Sequence, residues 1–444
     1  MRVRLFIVIT IFIFSSYTSL AQKWYRLDSG LVSFNAPAVY AIAEDTLAGY
    51  MFVGGSFSNS GPDSLQNIAS WNGTKWDTLA KGFKDVVNTL TLYKGELYAA
   101  GNFTYSGSTV LNYIARWKDD TIWDTVGKGL NGIVYAMVVY QNKLYVGGNF
   151  TRAGNINAKH IAVWNDTTWD SVGNGFNNDV YALAVYNGSL YAGGGFTMSG
   201  ANLTSYIAQW TGNSWVGLGI GVNDYVNAID SFGGSLYVGG NFTSAGGQTA
   251  FYIASWNGSL WDTVGMGMSS DVYALTTYKN LLYAGGAFLY TEGNTVNYIA
   301  SWDGTHWDSL AHGTSSAVFA LCPAKGLYVG GSFVMAGGDT ANCVALWDTG
   351  FVNTMGIQNI NRNVTGISVY PNPSDGKFSI RMQNVEYRRQ NLAVVYNILG
   401  EVVYAQSNIQ NPTFNIDLQG QPAGIYLLKL ETDKCALLKK LVIY

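Results

Sequence analysis

Short apolar phrases alternate with glycine-, asparagine- and aspartate-bearing turns from residue 23 to residue 350, and four such phrases recur in fixed order. The first reads VYAL or a variant, at residues 39–42, 87–90, 134–137, 180–183, 226–229, 272–275 and 318–321. The second reads LYVGGNF and closes on Phe57, Phe103, Phe150, Phe196, Phe242, Phe288 and Phe333, at steps of 46, 47, 46, 46, 46 and 45 residues. The third reads IAxW and ends on Trp71, Trp117, Trp164, Trp210, Trp256, Trp302 and Trp347; the fourth reads WDTV and starts on Trp76, Trp123, Trp169, Trp215, Trp261 and Trp307. Brevity, β-branched and aromatic content, and Asn-Gly, Asp-Gly or Gly-Gly pairs between phrases predict strands joined by tight hairpins. Each unit is thus a four-stranded antiparallel meander. One meander cannot bury both of its faces, so a repeat at this period predicts a β-propeller.

The third phrase occurs seven times and the fourth only six, because DTGFVNT follows Trp347. The missing copy is KWYRLDSGL at the start, where Trp24 brings the tryptophans to 14, two per blade. The expectation is an all-β, seven-bladed propeller over residues 22–350, closed by the strand at 24–27 and followed by a small Ig-like β-sandwich. The glycine doublet after the second strand, and the aromatic pair flanking the turn between the third and fourth, make residues 23–350 resemble kelch-type and other galactose-oxidase-like propellers. The unit is shorter than a usual kelch repeat, and the Gly-His dipeptide of WD repeats is absent.

The ends carry separate signals. Residues 1–21 combine Arg2 and Arg4, the run LFIVITIFIF, and SLA before Ala21/Gln22, which predicts a secretory signal peptide. The alternative is an uncleaved anchor, for which the apolar run is short. Residues 351–364 read as a linker, and alternation over 365–444 predicts a small antiparallel sandwich. This last segment resembles the type A C-terminal sorting domain of the type IX secretion system. The matching residues are Tyr370, Pro371, Asn372, Pro373, Gly376, Phe378, Gly400, Gly424, Tyr426, Lys439 and Lys440. The resemblance implies a bacterial protein carried across the outer membrane by the type IX translocon. It further implies removal of the domain by a surface sortase and attachment to surface lipopolysaccharide. An ordinary accessory sandwich is the alternative.

Charge is unevenly spread: residues 22–350 carry 14 Lys/Arg against 22 Asp/Glu, and residues 365–444 carry 8 against 6. An acidic propeller without basic clusters argues against nucleic acid. Cys322, Cys343 and Cys435 are too few and too badly placed for a disulfide framework, and a monomer is expected.

Candidate chemistry is sparse. The loops leading into the VYAL strands and the long loops after GGNF share one face, which suits binding. Asp85, Asp179, Asp224 and Asp271 just precede four first strands. They read either as an acidic rim for a cation such as calcium or a basic ligand, or as turn formers bonded to their own backbone. Tyr105 and Tyr290 in the long loops suit a carbohydrate or matrix ligand. Of the propeller's glutamates, Glu44, Glu96 and Glu292, only Glu292 has a conceivable acid partner, Asp339. His160, His306 and His312 are scattered and suggest no metal site. The aspartates Asp77, Asp124, Asp170, Asp262 and Asp308 fall on outer strands, where charge deters edge pairing; Asp-Thr/Ser-aliphatic also resembles a bacterial O-glycan acceptor. The function expected is a non-catalytic cell-surface binding or adhesion protein without a cofactor. An extracellular polysaccharide hydrolase or lyase, and a structural spacer, are the alternatives.

Overall fold

The computed structural model describes residues 22–33, 36–46, 49–119, 121–348, 367–382, 392–397, 402–406, 409, 411, 413–431 and 436–443. The expected signal peptide and linker, together with Gly400 and Cys435, lie outside them. The chain divides into two compact units, Met1–Val352 and Asn353–Tyr444, and the described residues contain strands and no helix.

The first unit holds seven four-stranded antiparallel sheets. Blade 1 runs outward through Ala38–Asp45, Tyr50–Ser56, Ile68–Trp71 and Trp76–Thr78. The inner strands of blades 2 to 7 are Val87–Tyr93, Val134–Tyr140, Val180–Tyr186, Val226–Phe232, Val272–Tyr278 and Val318–Pro323. Each inner strand lies beside the next, and the last lies beside the first. Blade 7 takes its outer strand from the other end of the chain: Lys23–Arg26 pairs with Val344–Asp348, with Trp24 opposite Trp347.

The two tryptophans of each blade explain why the blades hold together. They face each other across the outer strand pair with centroids 4.9–5.3 Å apart. The outer indole then donates to a carbonyl of the preceding blade: Trp76 to Leu27, Trp123 to Leu79, Trp169 to Val126, Trp215 to Val172, Trp261 to Leu218, Trp307 to Val264 and Trp24 to Leu310. Every blade junction therefore carries one indole N–H bond as well as ring burial. Four tyrosines that end inner strands add a second tie, donating to the next blade's hairpin: Tyr93 to Asn142, Tyr140 to Gly188, Tyr186 to Gly234 and Tyr278 to Lys325.

Blade 5 places a carboxylate in such a junction. Asp230 accepts the Thr277 backbone N–H at 2.6 Å, yet burial outweighs this and the bond from Ser231 and holds its pKa above the usual aspartate value. A raised folded pKa means the stabilising state is the protonated one. That stability is complete below the unfolded value of about 4 and is lost as pH rises through the folded value. Asp230→Asn is expected to melt no lower than the parent at pH 8, and to gain relative to it between pH 4 and pH 8. Thermal melts at both pH values check this; a loss at pH 8 matching Asp230→Ala would show that the charge itself is needed.

In the second unit, Ile367–Tyr370, Lys377–Met382 and Thr413–Asp417 form one sheet, and Val402–Gln406, Leu392–Tyr396, Gly424–Glu431 and Ala436–Ile443 another. Phe378, Ile380, Val395, Ile416, Tyr426, Leu428 and Leu441 are buried in its core. The Tyr-Pro-Asn-Pro turn is tied to the last strand: Asn372 Oδ1 accepts the Val442 N–H at 2.9 Å, and Ser374 N–H donates to the Val442 carbonyl. Gly376 has φ +102°, and a Cβ there would meet the Leu418–Gln419 backbone at 2.9–3.0 Å. Tyr426 donates to the Pro422 carbonyl at 2.7 Å, Gly424 opens its strand, and Lys439 is exposed on the last strand. Of the matching motif residues, Asn372, Gly376, Phe378, Gly424 and Tyr426 thus serve the turns, core and strand ends of this small fold.

Candidate functional site at the channel mouth

The residue after the first valine of every inner strand is skipped by the strand pairing. Val180 pairs with Gly194 and Ala182 with Gly193, so Tyr181 is left over as a β-bulge, and the same slip recurs in all seven blades. A bulge re-aims its side chain. The seven residues concerned, Tyr40, Asn88, Tyr135, Tyr181, Asn227, Tyr273 and Phe319, line the upper wall of a central cavity of about 530 Å³. Below them the lining is alanine, threonine and aliphatic side chains, and no charged residue contributes.

The aromatic residues form two arcs. Tyr273, Phe319 and Tyr40 follow one another at 5.4 and 5.2 Å. Tyr135, Tyr181, Tyr225 and Tyr206 do so at 5.2, 5.8 and 6.1 Å. Asn88 and Asn227 separate the arcs, each donating to its partner asparagine, Asn102 or Asn241, at 2.9 Å and to a carbonyl of the next blade.

The surrounding loops are built rigidly. Each long loop carries a two-stranded hairpin that the strand phrases did not reveal, such as Arg152–Ala153 with Ile156–Asn157. In blades 3 to 7 one side chain of the leading loop pins it: Asn131, Asn177 and Asn223 Oδ1, and Ser269 and Ser315 Oγ, each accept two successive hairpin N–H groups. Bridges such as Leu130 with Ala153 and Val222 with Ala245 put both loop types on one face.

The four aspartates divide by position. Asp85 and Asp224 each accept the next residue's N–H, at 2.7 and 2.8 Å, the local turn arrangement. Asp179 and Asp271, one residue nearer the strand, face the mouth: Asp271 accepts the Tyr273 hydroxyl at 3.3 Å, and Asp179 lies 3.4 Å from His160 Nδ1. Burial pushes the Tyr181 phenol up to about 12, and the Asp179 carboxylate adds to this; the same two causes raise Tyr135. Among the described residues no group of three or more His, Cys, Asp or Glu side chains is placed to hold a metal.

The other candidates lie elsewhere. Glu292 is engaged by the Trp307 backbone N–H, and Asp339 is exposed on a neighbouring hairpin. Glu44 ends an inner strand at the far end of the channel, where burial raises its carboxyl. Glu96 lies 3.8 Å from Arg116. His306 sits in a turn between third and outer strands, bonded to Thr305, and His312 in a leading loop. Asp77, Asp124, Asp262 and Asp308 each accept the N–H of the following residue. Tyr105 and Tyr290 are exposed on their hairpins, with Lys84 over the Tyr105 ring at 5.1 Å. Cys322 and Cys343 are free thiols, and burial pushes both up to about 12.

Residues 368–444 match the secretion system C-terminal sorting domain. The C-terminal unit is a type IX sorting domain. It marks the chain for export across the outer membrane, to the cell surface or beyond, and implies engagement with the type IX machinery. No curated protein matches the chain in sequence. Among solved structures it is similar to a structural genomics protein of unknown function from Bacteroides thetaiotaomicron VPI-5482. The identity is 12%, with 74% of this chain and 76% of that chain covered and a TM-score of 0.38.

Proposed function

We propose that this exported protein is a non-catalytic cell-surface binding or adhesion module that takes a carbohydrate or matrix ligand at the mouth of its channel. The observation that carries the reading is the bulge repeated in every blade, which turns five aromatic rings and two asparagines onto one uncharged cavity. Aromatic faces with a few fixed polar groups at the edge are what a sugar ring needs for stacking and orientation. Asp179 and Asp271 are the acceptors at the rim; Asp85 and Asp224 support the loops behind them. No cofactor enters this reading, and the cavity wall offers no carboxylate pair for glycoside chemistry. The blade is kelch-like in its glycine doublet, and the sorting domain is removed by a surface sortase before attachment to surface lipopolysaccharide.

The test is binding of the purified protein to a broad glycan and matrix array, in calcium and in chelator. Tyr181→Ala is expected to weaken a saturable ligand roughly tenfold, the scale of one aromatic contact, with the melting temperature showing that the ring remains folded. Affinity unchanged by Tyr181→Ala would move the site off the channel mouth. Absence of any ligand for a folded sample would favour a structural spacer.

A further inference from the structure

The loop face carries a localised positive arc that the chain's overall charge conceals. Its Lys and Arg residues, Lys81, Lys84, Lys128, Arg152 and Lys159, all belong to the leading and long loops of blades 2 and 3, and the same loops of the other five blades contain none. The expectation of no basic cluster is corrected here: the five are separated in sequence, and the repeat brings them to adjacent loops. A Cβ on Gly107 of the blade 2 hairpin would meet Lys81 Cδ at 2.7 Å, and Lys84 stands over Tyr105 of the same hairpin. Lys128 Nζ lies 3.4 Å from Asn155 Oδ1 of the blade 3 hairpin, which also carries Arg152. Lys159 follows that hairpin and touches the loop leading into blade 4 at Gly175.

All five side chains are exposed, and among the described residues none has a carboxylate within ion-pairing distance. Asp85, the acid beside Lys84, spends one oxygen on the Val86 N–H. The opposite face differs, since Lys94 there is paired with Asp166. Unpaired cations, those of blade 3 beside a hairpin pinned by Asn131, in a propeller that is otherwise acidic, make a surface complementary to an anion.

We propose that this arc binds a linear anionic glycan, one bearing carboxylate or sulfate groups, at a surface separate from the channel mouth. Charges spread over separate loops of two neighbouring blades suit an extended polyanion rather than one small anion. Four of the five are lysines, mobile point charges rather than the planar forks that grip single phosphates. Tyr105 supplies one exposed ring within the arc, enough to stack a sugar but not the run of platforms that single-stranded nucleic acid uses. Export places the face where such chains occur.

The experiment measures binding of the full-length protein to polygalacturonate and to dextran sulfate, with unsubstituted dextran and a single-stranded oligonucleotide as comparison arms. Saturable binding to either anionic glycan is expected, absent for plain dextran. It should weaken at least tenfold both in Lys81→Gln/Lys84→Gln/Lys128→Gln and on raising salt from about 50 to about 500 mM, where screening shortens to a few ångströms. Lys75→Gln/Lys143→Gln/Lys325→Gln, which removes the same charge from the opposite turns, should bind like the parent, and so should Tyr181→Ala. Equal loss in both lysine triples would overturn the proposal in favour of a net-charge effect. Loss in Tyr181→Ala would overturn the separate site, and an oligonucleotide bound more tightly than either glycan would overturn the ligand class.

Discussion

Gly194→Ala is expected to destabilise the propeller by about 3 kcal/mol, the upper range for forced overpacking, whereas Gly193→Ala next to it costs roughly 1 kcal/mol. The two glycines of the doublet do different things. A Cβ on Gly193 would meet the Val226 Cγ1 and Cβ of blade 5 at 2.4 and 2.9 Å, a contact between side chains of neighbouring blades rather than with backbone. Blade 2 already carries Ala100 at the equivalent position, fully buried beside Gly101. A Cβ on Gly194 would fall 2.1 Å from the Asp179 carbonyl oxygen. That is backbone, held where the inner strand bulges, and all seven blades keep glycine there. Relief would require the bulge to open, turning Tyr181 and Asp179 away from the mouth. The variant should therefore lose ligand as well as melting temperature, while Gly193→Ala keeps its ligand. Melts of the two variants side by side decide the matter; equal destabilisation would mean that the doublet is conformational rather than a close approach.

The blade was legible because its packing needs are local and repeated. A tryptophan at the head of each outer strand is demanded by one indole bond to the preceding blade, and a glycine at the end of each second strand by one carbonyl contact, so each leaves a mark at every repeat. Trp24 could be assigned to blade 7 because thirteen other tryptophans already had places. The long-loop hairpins were not legible: pairs such as Tyr105–Ser106 with Thr109–Val110 are two residues long and have no apolar alternation. What fixes them is a side chain about twenty residues earlier, such as Asn131, whose role depends on the fold returning the loop to it.

The site was half legible for a related reason. The second letter of VYAL is aromatic in five blades and asparagine in two, a pattern visible in the chain. Reading it as a ring facing a cavity required the bulge, because regular alternation cannot say which residue a strand will skip. The four aspartates looked alike in sequence, yet a one-residue offset gives Asp85 and Asp224 a neighbouring N–H and gives Asp179 and Asp271 the mouth. The basic arc was hidden because its members are scattered among acidic segments and meet only when two neighbouring blades stand side by side.

Trp24→Ala is expected to cost about 3–5 kcal/mol, the range for removing a buried tryptophan, and to do more than the same change inside the ring. Trp24 is buried, packs against Trp347 with centroids 5.1 Å apart and the rings tilted by 53°, and donates to the Leu310 carbonyl at 3.0 Å, so one side chain serves the outer strand pair and the junction with blade 6. Trp169 makes the equivalent contacts in blade 3, but its strand is continuous with its blade through a short turn. The strand Lys23–Arg26 has no such tether, since within its blade it is held by pairing with Val344–Asp348 and by contact with the hairpin of Met335–Ala336 and Asp339–Thr340. Loss of the indole thus releases a whole strand, where Trp169→Ala leaves a cavity in a blade still connected. The freed strand Val344–Asp348 would then present an unpaired edge, and concentration-dependent association should accompany the lower melting temperature. Trp24→Phe separates the contributions. It keeps a ring for Trp347 but strips the Leu310 carbonyl of its donor, a loss of roughly 1–3 kcal/mol if that oxygen stays dry. Deleting residues 23–26 should reproduce the full Trp24→Ala defect and its association. A deletion variant that melts with the parent and stays monomeric would show that the ring does not depend on this strand for closure.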